Sequence, residues 1–214
     1  GQSMIYVLSF PDVNNTGVNN NAVILQTMGQ NGRPDFPPGT GDDTFTAVAH
    51  LANIVPGALV NEAHTSSTGK FAVVLDDGTL EFYDAGVNGI YENANNPSGD
   101  DAWITISSSS RHVTESDLSP DGRYLAYTYT VTSNPTIFVG VIDVGLDGRI
   151  NTADDATATF GPAFSQPRID GFDLNVPASG RLVYVAPYFL GSALYYVNSG
   201  PDGRFATIDD IRQL

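Results

Sequence analysis

The sequence predicts an all-β protein with the architecture of a four-bladed β-propeller, and three observations lead to that prediction. The chain of 214 residues contains 20 Asp, 16 Asn, 22 Gly and 13 Pro but only 4 Glu and a single Lys, a composition that favours turns over helices. A loop pattern recurs, and its shared glycines Gly29, Gly86, Gly145 and Gly200 are spaced by 57, 59 and 55 residues. Each repeat divides into short β-rich runs, four in a complete repeat, which is the make-up of a propeller blade.

The third repeat carries the strand signal most clearly. Alternation and β-branched or aromatic residues predict strands at about 112–118, 124–130, 137–144 and 156–160. The second of these strands places side chains on both faces: Tyr124, Ala126 and Thr128 on one, Leu125, Tyr127 and Tyr129 on the other. Bulky residues on both faces predict a sheet that is covered by a neighbour on each side.

The whole chain, 1–214, is interpreted as one domain with blades at about 1–50, 51–107, 108–162 and 163–214. The first run aligns with a second strand, so the first blade is predicted to be incomplete and to lack its innermost strand. Three arrangements are compatible with this pattern: a four-bladed disc, a fragment of a larger propeller, and two copies that pair into one ring. The oligomeric state stays open.

One segment resembles a known family. The stretch DLSPDGRYLAY, residues 117–127, is similar to the SPDG repeat of TolB-type β-propellers, and GLDGRINTADD and GPDGRFATIDD look like the loop inserted in secreted bacterial and archaeal members. The second and fourth units depart from the pattern at Thr68–Gly69 and at Ala178–Gly180. The resemblance implies an architecture more than an activity, because such propellers serve as scaffolds, binding discs and domains of peptidases.

The Asp-rich loop of the third repeat has the spacing of a twelve-residue calcium loop. Oxygen ligands would come from positions 1, 5, 7, 9 and 12, with a glycine, Gly148, at position 6 for the sharp turn. The candidate ligands are Asp143, Asp147, the carbonyl of Arg149, Asn151 and Asp154, with Asp155 beside them. This spacing predicts a bound calcium ion.

The other three loops repeat parts of that scheme. The fourth loop offers Asn198, Asp202, the Arg204 carbonyl, Asp209 and Asp210; the second offers Asp84, Asn88 and Asp100; the first offers Thr27, Asn31 and Asp42. All four loops have glycine at position 3, where a calcium loop has a ligand. The alternative is a set of ordinary Asp-Gly and Asn-Gly turns with solvated aspartates.

Charge narrows the possible partners. The formal net charge is -15, so nucleic acid and anionic membrane are excluded as expected partners and divalent cations are favoured.

The chain has no cysteine and no apolar run long enough for a membrane span. No GxSxG, HExxH, P-loop or GxGxxG motif is present. The residues that could supply catalytic carboxylates to a central channel are Glu115, Asp117, Asp170 and Asp173.

The resulting expectation is a non-enzymatic, calcium-stabilised propeller, extracellular or at the cell surface, that acts as a structural or interaction module. Millimolar calcium outside cells would fill weak loops, and a protein or carbohydrate would be the ligand. Two alternatives stay open. One is a glycoside hydrolase or lyase that uses channel carboxylates, and the other is the accessory propeller of a larger hydrolase.

Overall fold

The computed structural model describes residues 3–10, 20–27, 41, 44–47, 60–87, 99–106, 109–131, 134–160, 181–188, 191–199, 201–205 and 211–213. Within these ranges the regular structure consists of fourteen β-strands and no helix. The all-β prediction is therefore confirmed. The described part of the chain also contains no helix that could cross a membrane.

The strands form four antiparallel sheets, each a meander in chain order. Sheet 1 contains β1 (Ser3–Phe10), β2 (Asn20–Thr27) and β3 (Thr44–Ala47). Sheet 2 contains β4 (Val60–Thr65), β5 (Lys70–Leu75), β6 (Leu80–Asp84) and β7 (Ala102–Ile106). Sheet 3 contains β8 (Arg111–Leu118), β9 (Tyr124–Val131), β10 (Asn134–Asp143) and β11 (Ala156–Phe160). Sheet 4 contains β12 (Arg181–Tyr188), β13 (Gly191–Asn198) and β14 (Ile211–Gln213).

The strands of sheet 3 agree with the predicted strands to within a few residues at each end. Sheet 1 has three described strands. The region expected to hold the innermost strand of the fourth blade, residues 161–180, lies outside the described residues. Within the described ranges the four sheets are not joined into a closed ring.

Sheet 3 is covered on both faces, as the alternation in β9 predicts. One face packs against sheet 4 in a core that contains Tyr124, Ala126, Val139, Val141, Ala158, Leu182, Val197 and Phe205. The other face packs against sheet 2 in a core that contains Ala72, Val74, Leu80, Phe82, Val113, Leu118, Leu125, Tyr127, Tyr129, Ile142, Val144 and Ile150. Sheets 2, 3 and 4 therefore stack face to face in chain order, and burial of this apolar surface is the main force that holds them together.

The first described strands of sheets 1, 2 and 3 lie close to one another. Strand β1 contacts β4, and β4 contacts β8. Both β4 and β8 contain an irregularity of register, between Val60 and Glu62 in one and between Val113 and Glu115 in the other. These positions are 53 residues apart, so the bulge is a feature of the repeat, and it redirects the glutamate that follows.

Candidate functional site

The Asp-rich loops each precede the last described strand of their sheet. We call residues 85–101 loop 2, residues 144–155 loop 3 and residues 199–210 loop 4. Loop 3 is described in full, whereas loop 2 is described at 85–87 and 99–101 and loop 4 at 199 and 201–205. Of loop 1, residues 28–43, the structure describes Gly41 alone.

In loops 2 and 3 the last residue of the preceding strand is a buried aspartate. Asp84 is 1% exposed and Asp143 is 0% exposed. Asp84 Oδ1 accepts a hydrogen bond from the backbone amide of Gly86, and Asp143 Oδ1 accepts one from Gly145, both at 3.0 Å. Each aspartate therefore stabilises the turn by which the chain leaves its strand.

The other oxygen of each carboxylate reaches the following sheet. Asp84 Oδ2 accepts from the Ile150 amide at 3.2 Å, and Asp143 Oδ2 accepts from the Phe205 amide at 3.3 Å. Buried carboxylates require such donors, because an ionised group without partners is costly to remove from water. These two bonds connect positions that are 66 and 62 residues apart in the chain.

Arginine side chains of loops 3 and 4 donate hydrogen bonds to the loop that precedes each of them. Arg149 Nε donates to Asp84 Oδ2 at 3.2 Å, and its Nη2 donates to the Asp100 carbonyl at 2.7 Å. Arg204 Nη2 donates to the Asp154 carbonyl in the equivalent way. The sequence interpretation used the carbonyls of these two arginines as calcium ligands, whereas in the structure their guanidinium groups connect one loop to the preceding one.

Asp100 and Asp154, the first members of their Asp-Asp pairs, bond back to the start of their own loops. Asp100 Oδ2 accepts from the Val87 amide at 2.6 Å, and Asp154 Oδ2 accepts from the Leu146 amide at 2.8 Å. A Cβ atom at Gly145 would lie 2.2 Å from Asp154 Oδ2. Glycine stands at position 3 because the carboxylate occupies the space of a side chain there.

We call this repeated arrangement the clasp. One copy joins loop 2 to loop 3 through Asp84, Asp100, Arg149 and Ile150, and the second joins loop 3 to loop 4 through Asp143, Asp154, Arg204 and Phe205. Matching members are 54 to 59 residues apart, the length of the sequence repeat. The second copy also contains Arg123, whose Nε donates to Asp143 Oδ1 at 3.3 Å and whose Nη2 donates to the Gly203 carbonyl at 2.7 Å.

The remaining carboxylates of the predicted calcium loops also face backbone amides. Asp147 Oδ1 and Asp202 Oδ1 each accept from the amide two residues ahead at 2.8 Å, and Asp155 Oδ2 accepts from the Asn151 amide at 2.6 Å. In the part of the chain that the structure describes, no three Asp, Glu or His side chains form a group that could hold a metal ion.

Some predicted ligands do meet, around the hydroxyl of Thr152. Thr152 Oγ1 lies 2.9 Å from Asp154 Oδ1, 3.1 Å from Asp155 Oδ1 and 3.2 Å from the Arg149 carbonyl. A hydroxyl has one proton, so it can satisfy one of these acceptors at a time. The Thr152 contact holds the pKa of Asp154 below its ordinary value, whereas burial raises the pKa of Asp155.

A second polar cluster lies between the first strands of sheets 2 and 3. His64 Nε2 is 2.9 Å from Glu62 Oε1, and His64 Nδ1 is 3.8 Å from Asp117 Oδ1. Glu62 Oε2 accepts a hydrogen bond from the Ser116 amide at 2.7 Å, which ties β4 to β8. Contact with Glu62 raises the pKa of His64 above its ordinary value, although burial opposes the effect.

The repeat explains this cluster. Glu62 and Glu115 are equivalent positions, 53 residues apart, and so are His64 and Asp117. The sequence predicted Glu115 and Asp117 as channel residues but missed Glu62 and its contact with the imidazole. The 53-residue spacing of the repeat was the signal that could have found it. By the same register Asp173 matches Glu115, but Asp170 and Asp173 lie outside the described residues.

Comparison with known proteins identifies no relative: no family model, no curated protein and no solved structure matches the chain. Five predicted ligands, Asn31, Asp42, Asn88, Asp209 and Asp210, lie outside the described residues, while Asn151 and Asn198 are described. Asn151 has a left-handed backbone, with φ of 65°, and its amide bonds to Asp155.

Proposed function

We propose that the chain is a non-catalytic β-propeller module, structural or interaction-mediating, in which the Asp-rich loops fasten consecutive blades. The observation that carries this proposal is the repetition of the clasp at two successive sheet junctions. In each copy a buried aspartate accepts from an amide of the next loop, and an arginine of that loop donates to the carbonyl of an earlier aspartate. A catalytic site would be expected once, whereas a fastening device is expected at every junction.

Three features support the propeller architecture. The described sheets are antiparallel meanders, sheet 3 is buried on both faces, and the first described strands of sheets 1, 2 and 3 are adjacent. The SPDG resemblance of residues 117–127 agrees with the same architecture. Solution scattering tests the proposal, because a propeller predicts a compact particle. An extended profile for a monomer would contradict it.

Calcium binding to loop 3, in an extracellular or cell-surface setting, is the second part of the proposal. It is supported by the three acceptors that share the single proton of Thr152, since a hard cation takes carboxylate and carbonyl oxygens. Millimolar calcium is the concentration at which a weak loop of this kind would be occupied. A calcium ion would bind Asp154, Asp155 and the Arg149 carbonyl and neutralise their charge.

Calcium titration followed by thermal unfolding tests this second part. Calcium at a hundredfold excess over its Kd should add about 2.7 kcal/mol to the free energy of unfolding, and Asp155→Asn should remove most of that gain. Asp76→Asn, a change at an exposed aspartate of a different turn, is the matched control. An unchanged melting curve at equal ionic strength would remove calcium from the proposal and leave the clasp untouched.

A glycoside hydrolase is the second candidate, favoured by the cluster of Glu62, His64 and Asp117. Paired carboxylates are the groups that glycoside hydrolysis needs, and contact with Glu62 alters the protonation of His64. The assay is a panel of polysaccharides and aryl glycosides, with Glu62→Gln and Asp117→Asn as variants. Turnover that either substitution abolishes would replace the non-catalytic proposal.

A further inference from the structure

A cavity of about 380 Å³ lies between loop 3 and the ends of sheets 2 and 3. Its lining includes Lys70, Arg123 and Arg149 together with Asp84, Asp121 and Asp147. The whole chain has nine Lys and Arg residues, so a third of its positive side chains line this one space. In a chain with net charge -15 this grouping of three positive side chains is unexpected. The clasp between loops 2 and 3 explains only one of them, Arg149.

The lysine is the feature that the clasp does not explain. Lys70 is 5% exposed, and the nearest carboxylate oxygen to its Nζ is Asp84 Oδ1, at 3.9 Å. That distance exceeds the length of a hydrogen bond, and no other described residue offers an acceptor to this ammonium group. Burial also lowers the pKa of Lys70, because the charged group is taken out of water, and the Asp84 carboxylate opposes this effect only in part.

The arginines have donors to spare as well. Arg123 and Arg149 each use Nε and Nη2 on protein acceptors. Among the described residues neither Nη1 atom has an acceptor. A guanidinium has five N–H donors and an ammonium three, so this lining has more hydrogen-bond donors than the surrounding protein uses.

The carboxylates of the lining accept hydrogen bonds from groups of the protein itself. Asp121 Oδ1 accepts from the Ser119 hydroxyl at 2.7 Å and from the Arg123 amide at 3.1 Å. Asp147 Oδ1 accepts from the Arg149 amide at 2.8 Å, and Asp84 is held by the clasp. One oxygen of Asp121 and one of Asp147 therefore already have donors, and the site presents unused donors beside partly satisfied acceptors.

We propose that this cavity binds a small molecule through an oxyanion group, a carboxylate or a sulfate-like group, placed against Lys70. Oxyanions offer several acceptor oxygens to converging N–H groups, and charge-assisted hydrogen bonds are the stronger kind. The volume lies at the lower end of the range of small-molecule pockets, so there is room for more than a bare inorganic ion. The proposal depends on loop 3 and on the junction of sheets 2 and 3, and it does not require ring closure.

Isothermal titration of the full chain tests the proposal with three probes: sodium sulfate, sodium glucuronate and glucose, at constant ionic strength. We expect saturable binding of at least one anion and none of glucose. Lys70→Met should weaken that binding at least tenfold, and it should fold because a thioether replaces a buried ammonium of similar length. Arg111→Met removes the same charge outside this lining and should leave the affinity unchanged.

A spectroscopic measurement keeps the test decisive if Lys70→Met does not fold. Because Lys70 is the only lysine, a chain made with lysine labelled at the side-chain nitrogen has one such signal to follow. The anion that binds should shift that signal along a saturable curve. If neither anion binds, or if binding leaves the Lys70 signal in place, the proposal is wrong.

Discussion

Arg149 Nε lies 3.2 Å from Asp84 Oδ2, although the two residues are 65 positions apart and belong to consecutive sheets. The same carboxylate oxygen accepts from the Ile150 amide, so one aspartate at the end of β6 is bonded to two consecutive residues of loop 3. The clasp therefore works between repeats, and its removal should loosen one sheet junction.

The charge of Asp84 should be needed for the stability of that junction. Asp84→Asn leaves Arg149 and Lys70 without their carboxylate, and breaking a buried ion pair from one side costs about 3 kcal/mol. Urea denaturation measures the change. Asp76→Asn, at an exposed position, is the control and should change the free energy of unfolding by less than about 0.5 kcal/mol. Equal effects of the two substitutions would contradict the clasp.

Two glycines of loop 3 offer a matched comparison. Gly145 and Gly148 both have positive φ, 73° and 66°, but a Cβ at Gly145 would collide with the Asp154 carboxylate, whereas a Cβ at Gly148 would meet nothing within 4 Å. Gly148→Ala should cost about 1 kcal/mol for the left-handed backbone. Gly145→Ala should cost about 2 kcal/mol more, because it displaces Asp154.

Thermal or urea unfolding of both variants measures the two losses in the free energy of unfolding. Similar losses would mean that Asp154 does not need its position against Gly145. A larger loss for Gly148→Ala would contradict the packing argument outright.

Glu81 should make the protein less stable as the pH rises. Its side chain is fully buried on β6, Thr105 Oγ1 donates to its Oε2 at 2.8 Å, and burial raises its pKa to about 7. A carboxyl whose pKa is higher in the folded state binds its proton more tightly there, so stability is lost between pH 4.5 and about 7.

Glu81→Gln mimics the protonated form and should increase the free energy of unfolding at pH 8 by up to about 3 kcal/mol. At pH 4 the variant and the parent chain should have nearly equal stability. Melting curves at both pH values test this, and a gain that is the same at both would show that ionisation of Glu81 is not its cause.

His64 should contribute a pH dependence through its contact with Glu62. Because its pKa is raised above 6.5 in the folded state, the charged imidazole stabilises the fold fully below pH 6.5, and this contribution is lost as the pH rises through the folded-state value. His64→Gln should flatten the stability profile in that range. His112→Gln, at the other described histidine, is the comparison, and a profile that His64→Gln leaves unchanged would contradict the assignment.

Much of the fold can be predicted from the local pattern of residues in the sequence. Period-two alternation identified β9 and both of its faces, because side chains of a strand point alternately to opposite sides whatever surrounds them. The spacing of Gly86 and Gly145 identified the repeat and the place of its loops. These properties depend on neighbours in the chain, so the sequence contains the information directly.

The hydrogen-bond donors that the loop carboxylates meet cannot be predicted from the local pattern of residues in the sequence. Asp143, Gly148 and Asp154 have the spacing of a calcium loop, but that spacing also suits a clasp, and the donors that distinguish the two include Phe205 of the next repeat. Glycine at position 3 suggested a missing ligand, whereas in the structure Gly145 leaves room for Asp154.

The sequence by itself thus determined the all-β class, the strands of the third repeat and the loops that carry the polar residues. Only the tertiary structure decided what those residues bind, as Asp84 and Arg149 illustrate. The physical reason is that a buried carboxylate takes whichever donor the packing brings within about 3 Å. Those donors come from residues more than 60 positions away, which become neighbours when the apolar faces of the sheets pack together.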